Sequence, residues 1–256
     1  MKMNTQQVKL VAFDFDGVIA ETIKEWYFLG LKAFNYVGEN LQSSREAGEC
    51  FRQARSFLKN AEDCYFVFKS IKEENVDFNT ITQEEFNRMA QPFFEKEGKA
   101  LAKEVYAQRA ELRENDKEKW LELFSVFPEM ISVLKKVIEQ FEVVIATTRD
   151  RASVSAILEK QEISINDHKI ISREFSIDKR EQMKFITKEY AVSFEEIFFI
   201  DDILEHLKLV GSLGVNVVLA SWGYSNRQQL SEAKEKGIPI LKAPHDILSH
   251  LGVSGP

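Results

Sequence analysis

The chain has 256 residues, 44% hydrophobic and 29% charged, with 34 Lys+Arg against 41 Asp+Glu and a formal charge of −7. That acidic balance makes it a poor candidate for sequence-independent binding to DNA or RNA, which needs a positive face, and argues against an anionic membrane surface as a partner. Two cysteines, Cys50 and Cys64, cannot form a disulfide framework and read as packed thiols in a reducing, cytoplasmic setting. No apolar run approaches the roughly 20 residues of a membrane span, and the polar stretch Met1–Gln7 lacks the apolar centre of a signal peptide.

Residues 8–19 read Val-Lys-Leu-Val-Ala-Phe-Asp-Phe-Asp-Gly-Val-Ile, an apolar β-prone run that ends abruptly in acids and a glycine. This predicts a buried strand and the loop at its carboxyl end. Residues 22–125 hold one proline, Pro92, and few β-branched runs. Phe51, Ala54, Leu58, Ala61, Tyr65 and Phe68 recur at spacings of three and four, predicting one apolar helix stripe used for packing. Thr82-Gln83-Glu84-Glu85 has the pattern of a capping box that starts a further helix. Residues 93–123 continue as a charged helical pattern, so the whole stretch reads as all-helical.

From Pro128 the pattern changes. Helices at 129–140, 151–161, 180–190 and 203–213 alternate with strands at 141–147, 169–171, 196–200 and a last one at 215–219. Such alternation predicts a parallel sheet covered on both faces. The expected fold is therefore α/β: a Rossmann-like parallel-sheet core from residues 1–20 and 126–256, interrupted by an all-helical domain at 21–125.

Three of these strands end in chemically distinctive residues: Asp14-Phe15-Asp16-Gly17, Thr147-Thr148 and Asp201-Asp202. Open α/β sheets bind ligands beyond the carboxyl ends of their strands, at the switch in strand order. If the three strands are neighbours, four carboxylates and one or two hydroxyls converge there. Crowded carboxylates repel unless a cation shares the site, and all-oxygen ligation suits Mg²⁺. One carboxylate can then act as a nucleophile towards phosphorus. A second can give a proton to the leaving oxygen and later take one from water. Lys179, before a helix, can neutralise charge, and Thr147 can hydrogen-bond phosphoryl oxygens.

These motifs, in this order, resemble the haloacid dehalogenase superfamily, and in layout its phosphoglycolate phosphatase and β-phosphoglucomutase-like branch. The resemblance covers residues 8–20 and 126–250. It implies that Asp14 is the nucleophile and a Mg²⁺ ligand. Asp16 is implied as the general acid/base, its carbonyl also on the metal. Thr147 matches the second motif, with Thr148 one step behind and in reach of substrate. Lys179 matches the third motif, with Lys184 as runner-up. Asp202 is implied as the direct Mg²⁺ ligand, with Asp201 acting beside it through water. Ser221-Trp222-Gly223-Tyr224 also looks like a loop of the phosphoglycolate phosphatase group. The chain departs from the family where an acid commonly follows the fourth motif: His206 stands four residues after Asp202, with Glu205 one short. The inserted helical stretch corresponds to the family's C1 cap.

The activity implied is Mg²⁺-dependent hydrolysis of a small phosphorylated metabolite through an aspartyl-phosphate. A phosphomutase on the same scaffold and a non-catalytic binding protein are the alternatives. Neither nucleic acid nor membrane is an expected partner. Within the cap, Arg55 and Arg52 could reach an anionic substrate group, or could belong to a solvated helix face paired with Glu62 or Asp63. Trp222 and Tyr224 could line a substrate entrance or close the sheet edge. The four histidines show no metal-ligand spacing.

Overall fold

A computed structural model describes residues 8–253. Contacts divide the described residues into two units, 8–21 with 125–253, and 22–124. In the first unit the chain opens with β1 (Leu10–Phe13), all four residues buried, followed by a tight loop and the short β2 (Ala20–Glu21).

The second unit is helical throughout. Its helices are α1 (Ile23–Tyr36), α2 (Arg45–Ala54), α3 (Cys64–Glu73), α4 (Gln83–Phe93), α5 (Lys99–Asn115) and α6 (Lys117–Leu121). Phenylalanines fill its interior: Phe51 stacks on Phe68 at 4.9 Å, and Phe57 on Phe86 at 5.3 Å. The stripe from Phe51 to Phe68 is not one helix. It breaks between α2 and α3, where the Asp63 carboxylate accepts the N–H groups of Lys59 (3.0 Å) and Asn60 (3.2 Å). A side chain that caps backbone donors stops a helix while the apolar positions on either side stay buried. The capping box at α4 forms as expected: Glu85 N–H donates to Thr82 Oγ1 at 3.2 Å, and Thr82 N–H donates to Glu85 Oε2 at 2.8 Å. Pro92 lies inside α4, and the following turn, 94–98, widens to π geometry, as expected where a helical N–H is missing. Cys50 and Cys64 are free thiols.

The chain re-enters the first unit through β3 (Ser125–Val126), which pairs antiparallel with β2. There follow α7 (Pro128–Gln140), β4 (Glu142–Ala146), α8 (Arg151–Lys160), β5 (Ile170–Ile171), α9 (Lys179–Glu189), β6 (Ile197–Asp201), α10 (Leu204–Gly211) and β7 (Asn216–Ala220). The strand at 215–219 is not the last. Helix α11 (Arg227–Glu235), β8 (Ile240–Leu241) and α12 (Asp246–Leu251) complete the unit. Two paired residues after Pro239 are too short a run to carry a periodic signal.

Six of the eight strands among the described residues form one sheet in the order β5-β4-β1-β6-β7-β8. Every pairing is parallel, with Leu10 opposite Glu142 on one side and Ile197 on the other. The protein is thus α/β with a Rossmann-like parallel core. Leu10, Ala12, Val144, Phe199, Leu207 and Met183 belong to one core cluster beneath α9 and α10. Parallel strands covered on both faces need apolar residues at successive positions, which is why β1 and β6 read as unbroken apolar runs. No helix among the described residues is long and apolar enough to cross a membrane.

Candidate active site

The switch in strand order falls at β1, which lies between β4 and β6. The motifs that end these three strands therefore meet. Asp14 extends the β1 ladder by one bond, its N–H donating to Ile200 O at 2.8 Å. The chain then turns back on itself: Gly17 N–H donates to Ala20 O at 2.8 Å, with Gly17 at φ +82°. A Cβ on Gly17 would lie 2.1 Å from Asp202 Oδ2, and one on Gly223 would lie 2.4 Å from Asp202 Cβ. Both glycines exist so that two backbones can close around one carboxylate. Gly17→Ala is expected to displace Asp202 and to cost about 2–3 kcal/mol, from overpacking and the left-handed φ together. Chemical denaturation of the two proteins would measure it.

Lys179 is the first residue of α9, whose N-cap Asp178 accepts the Arg180 N–H at 2.9 Å. Its side chain is buried, with Nζ 2.6 Å from Asp14 Oδ1 and 3.6 Å from Asp201 Oδ2. It also donates to Ala146 O at the end of β4. Lys184, the alternative lysine, is exposed and pairs with Glu181 at 2.8 Å. Thr147 is buried, its N–H donating to Ile171 O at 2.9 Å and its carbonyl accepting Gln182 Nε2 at 2.8 Å. Its hydroxyl oxygen accepts the Arg149 N–H at 3.1 Å. Thr148 is half-buried beside it.

Asp201 closes β6. Its Oδ1 accepts the Ile203 N–H at 2.8 Å, and its Oδ2 lies 3.0 Å from His206 Nδ1. Asp202 Oδ2 accepts the Tyr224 N–H at 2.7 Å, and its carbonyl accepts the Ser225 hydroxyl. Trp222 Nε1 donates to Val18 O at 3.0 Å, and the Tyr224 hydroxyl donates to Glu21 Oε1 at 2.7 Å. Both aromatics therefore brace the loop after β1.

Asp14, Asp201 and Asp202 are all buried, and each offers a carboxylate oxygen within 4.8 Å of the others. Lys179 offsets part of this negative charge. An all-oxygen, carboxylate-rich set with charge still to offset fits a hard divalent cation. Burial, with repulsion from Asp201 and Asp16, pushes the Asp14 carboxyl up to about 6 despite the attraction of Lys179. Burial also opposes ionisation of Asp201, but His206, Lys179 and the Ile203 N–H together hold it below the usual carboxylate range. Lys179 loses hydration by burial, yet Asp14 and Asp201 raise it above an ordinary lysine.

Asp16 is not among these three acids. Its Oδ1 accepts Arg149 Nε at 2.9 Å, and Arg149 is fully buried. Arg149 did not stand out in the sequence. The signal available was its place two residues after Thr147, at the end of a strand that supplies the site. Arg52 and Arg55 lie in the helical unit, where Arg55 is buried and donates to Leu58 O at 3.1 Å, while Arg52 is exposed on α2. Lys59, on the same segment, bonds Asn87 Oδ1 at 3.0 Å.

Acids, a hydroxyl and a buried lysine are thus gathered at the switch point of a doubly wound sheet, where such sheets bind their ligands. A family model for haloacid dehalogenase-like hydrolases matches residues 8–209, and the chain belongs to that family. Among solved structures, it is similar to a predicted phosphoglycolate phosphatase from Haemophilus somnus (TM-score 0.63, 18% identity, covering 95% of this chain and 97% of that one). It is similar also to a haloacid dehalogenase-like family protein from Streptococcus pneumoniae (TM-score 0.60, 14% identity, 96% and 99% covered). A third is a predicted phosphatase from Clostridium acetobutylicum (TM-score 0.59, 14% identity, 94% and 97% covered). At these identities the likeness is one of fold. No curated protein matches the chain at a significant level.

Proposed function

We propose that this hydrolase is a Mg²⁺-dependent phosphomonoesterase that acts on a small phosphorylated metabolite, in the manner of a phosphoglycolate phosphatase. The observation that carries this reading is the different surroundings of two acids on one loop. Asp14 lies 2.6 Å from a buried lysine inside the acidic cluster. Asp16, two residues on, pairs instead with Arg149. In this reading one acid forms a bond and the other moves a proton.

In this reading an Asp14 oxygen attacks phosphorus and the bond to the leaving oxygen breaks. Asp16 gives its proton to that oxygen, so an alcohol departs and an aspartyl-phosphate remains. Asp16, now a carboxylate, takes a proton from water as the water oxygen attacks phosphorus. Inorganic phosphate leaves and Asp14 is restored. Thr147 Oγ1 already accepts the Arg149 N–H, so its own hydrogen is directed away to donate to a phosphoryl oxygen. Lys179 offsets charge on Asp14 and the transferring group. Mg²⁺ held by Asp14, Asp202 and the Asp16 carbonyl, with Asp201 beside it, would supply further positive charge to the phosphoryl oxygens.

Phosphate release from 4-nitrophenyl phosphate and a panel of phosphometabolites, in Mg²⁺ or EDTA, tests the reading. Turnover that needs Mg²⁺ supports it; no release from folded protein in any condition refutes it. A second expected outcome does not depend on turnover. Mg²⁺ at about 100 times its Kd should stabilise the protein by about 2.7 kcal/mol, roughly 5–10 °C in melting temperature. The gap between Mg²⁺ and EDTA should narrow as pH falls through about 6, where Asp14 takes up a proton and protons displace the metal.

A further inference from the structure

Arg149 joins two of the motifs at the strand ends. A buried guanidinium paired with a buried carboxylate is often no more stabilising than an apolar pair of the same size. Yet Arg149 is fully buried, and its Nε lies 2.9 Å from Asp16 Oδ1 across 133 positions of sequence. Its backbone is held on both sides. The N–H donates to Thr147 Oγ1 at 3.1 Å, and the carbonyl accepts the Arg173 N–H at 3.2 Å. One residue therefore touches two candidate groups of the reaction at once, a hydroxyl on the β4 loop through its backbone and a carboxylate on the β1 loop through its side chain.

We propose that Arg149 is a positioning residue that sets Thr147 and Asp16 in one fixed geometry. The inference rests on the phosphomonoesterase reading above. An aspartate on a turn can rotate about two side-chain bonds. A planar guanidinium on a clamped backbone removes that freedom. Proton transfer to a leaving oxygen requires hydrogen-bond reach, and a misplacement of about 1 Å can lower a rate by about 10²-fold.

The consequence is selective. A strongly basic alkoxide needs a proton to leave, whereas 4-nitrophenolate hardly does. In Arg149→Ala, kcat/KM for the best alkyl phosphate should fall by about 10²-fold or more, and for 4-nitrophenyl phosphate by less than about 10-fold. Added guanidinium chloride at millimolar concentration should restore part of the alkyl phosphate rate. In an Asp16→Asn background the same substitution should add little, because the group it positions is gone. Arg149→Lys keeps the buried cation and should show the same substrate order with a smaller loss; it decides the matter if the alanine variant does not fold. An equal fall on both substrates in the folded variant, or no fall on either, overturns the proposal while leaving the phosphatase reading intact. A wild type inactive on every substrate refutes that reading and the proposal with it.

Discussion

Replacing Asp14 by Asn is expected to lower phosphate release by about 10⁴-fold or more and, in EDTA near neutral pH, to raise the melting temperature. The two effects have one origin. Asp14 is buried among like charges, and its carboxyl is pushed up from 3.8 to about 6 even with Lys179 alongside. A carboxyl whose folded value lies above its unfolded value binds its proton more tightly when folded. Its contribution to stability is therefore greatest at low pH, and is lost as pH rises from about 4 through about 6. Above that window the ionised group costs about 2–3 kcal/mol in the metal-free protein. Asparagine removes the charge and keeps the shape, so a rise of roughly 5 °C is expected by thermal denaturation. The same variant should lose most of the stabilisation by Mg²⁺ seen in the wild type. An Asp14→Asn protein that melts lower than wild type in EDTA would mean that attraction to Lys179 outweighs burial. Such an exchange of stability for function is common where a site must hold charge ready for a ligand.

The second large effect lies in the helical unit. Glu25, on α1, is fully buried and grips Arg109, on α5, with both oxygens: Nε to Oε1 at 2.6 Å and Nη2 to Oε2 at 2.8 Å. Trp120 Nε1 donates to the same Oε1 at 3.1 Å. The guanidinium also lies 4.7 Å from the ring centroids of both Trp26 and Tyr106, an arrangement that favours a cation over an aromatic face. Glu25→Ala should destabilise this unit by about 3–5 kcal/mol, because it strands a buried guanidinium. Glu25→Leu combined with Arg109→Met should recover most of that loss, since an apolar pair leaves no uncompensated charge. Urea unfolding followed by tryptophan fluorescence would measure both, as Trp26 and Trp120 lie beside the pair. A cost below about 1 kcal/mol for Glu25→Ala would mean that water replaces the carboxylate and that the pair is not a structural tie.

How far the sequence discloses such features depends on the range of the interaction behind them. Unbroken apolar runs at 10–13 and 197–200 announce strands covered on both faces, because burial acts residue by residue. The acids after them, and the capping box at Thr82, are legible for the same reason: a strand end or a helix start is encoded within a few residues. The convergence of Asp14, Thr147 and Asp201-Asp202 could be anticipated because a parallel sheet leaves few neighbours for a central strand. Other features have no local trace. The helical period runs through 51–68 without a mark where Asp63 caps two backbone donors and breaks the helix. Glu25, Arg109 and Arg149 look like any charged residues on solvated faces. Each is instead buried, with a partner that lies 84 positions away for Glu25 and Arg109 and 133 for Arg149. Motif spacing already favours Lys179 over Lys184, but their surroundings are tertiary: both are lysines on one helix, and Lys179 lies beside Asp14 while Lys184 pairs with Glu181. A charge pattern in sequence states which groups must find compensation; whether water or a distant side chain supplies it is decided only when the chain has closed around them.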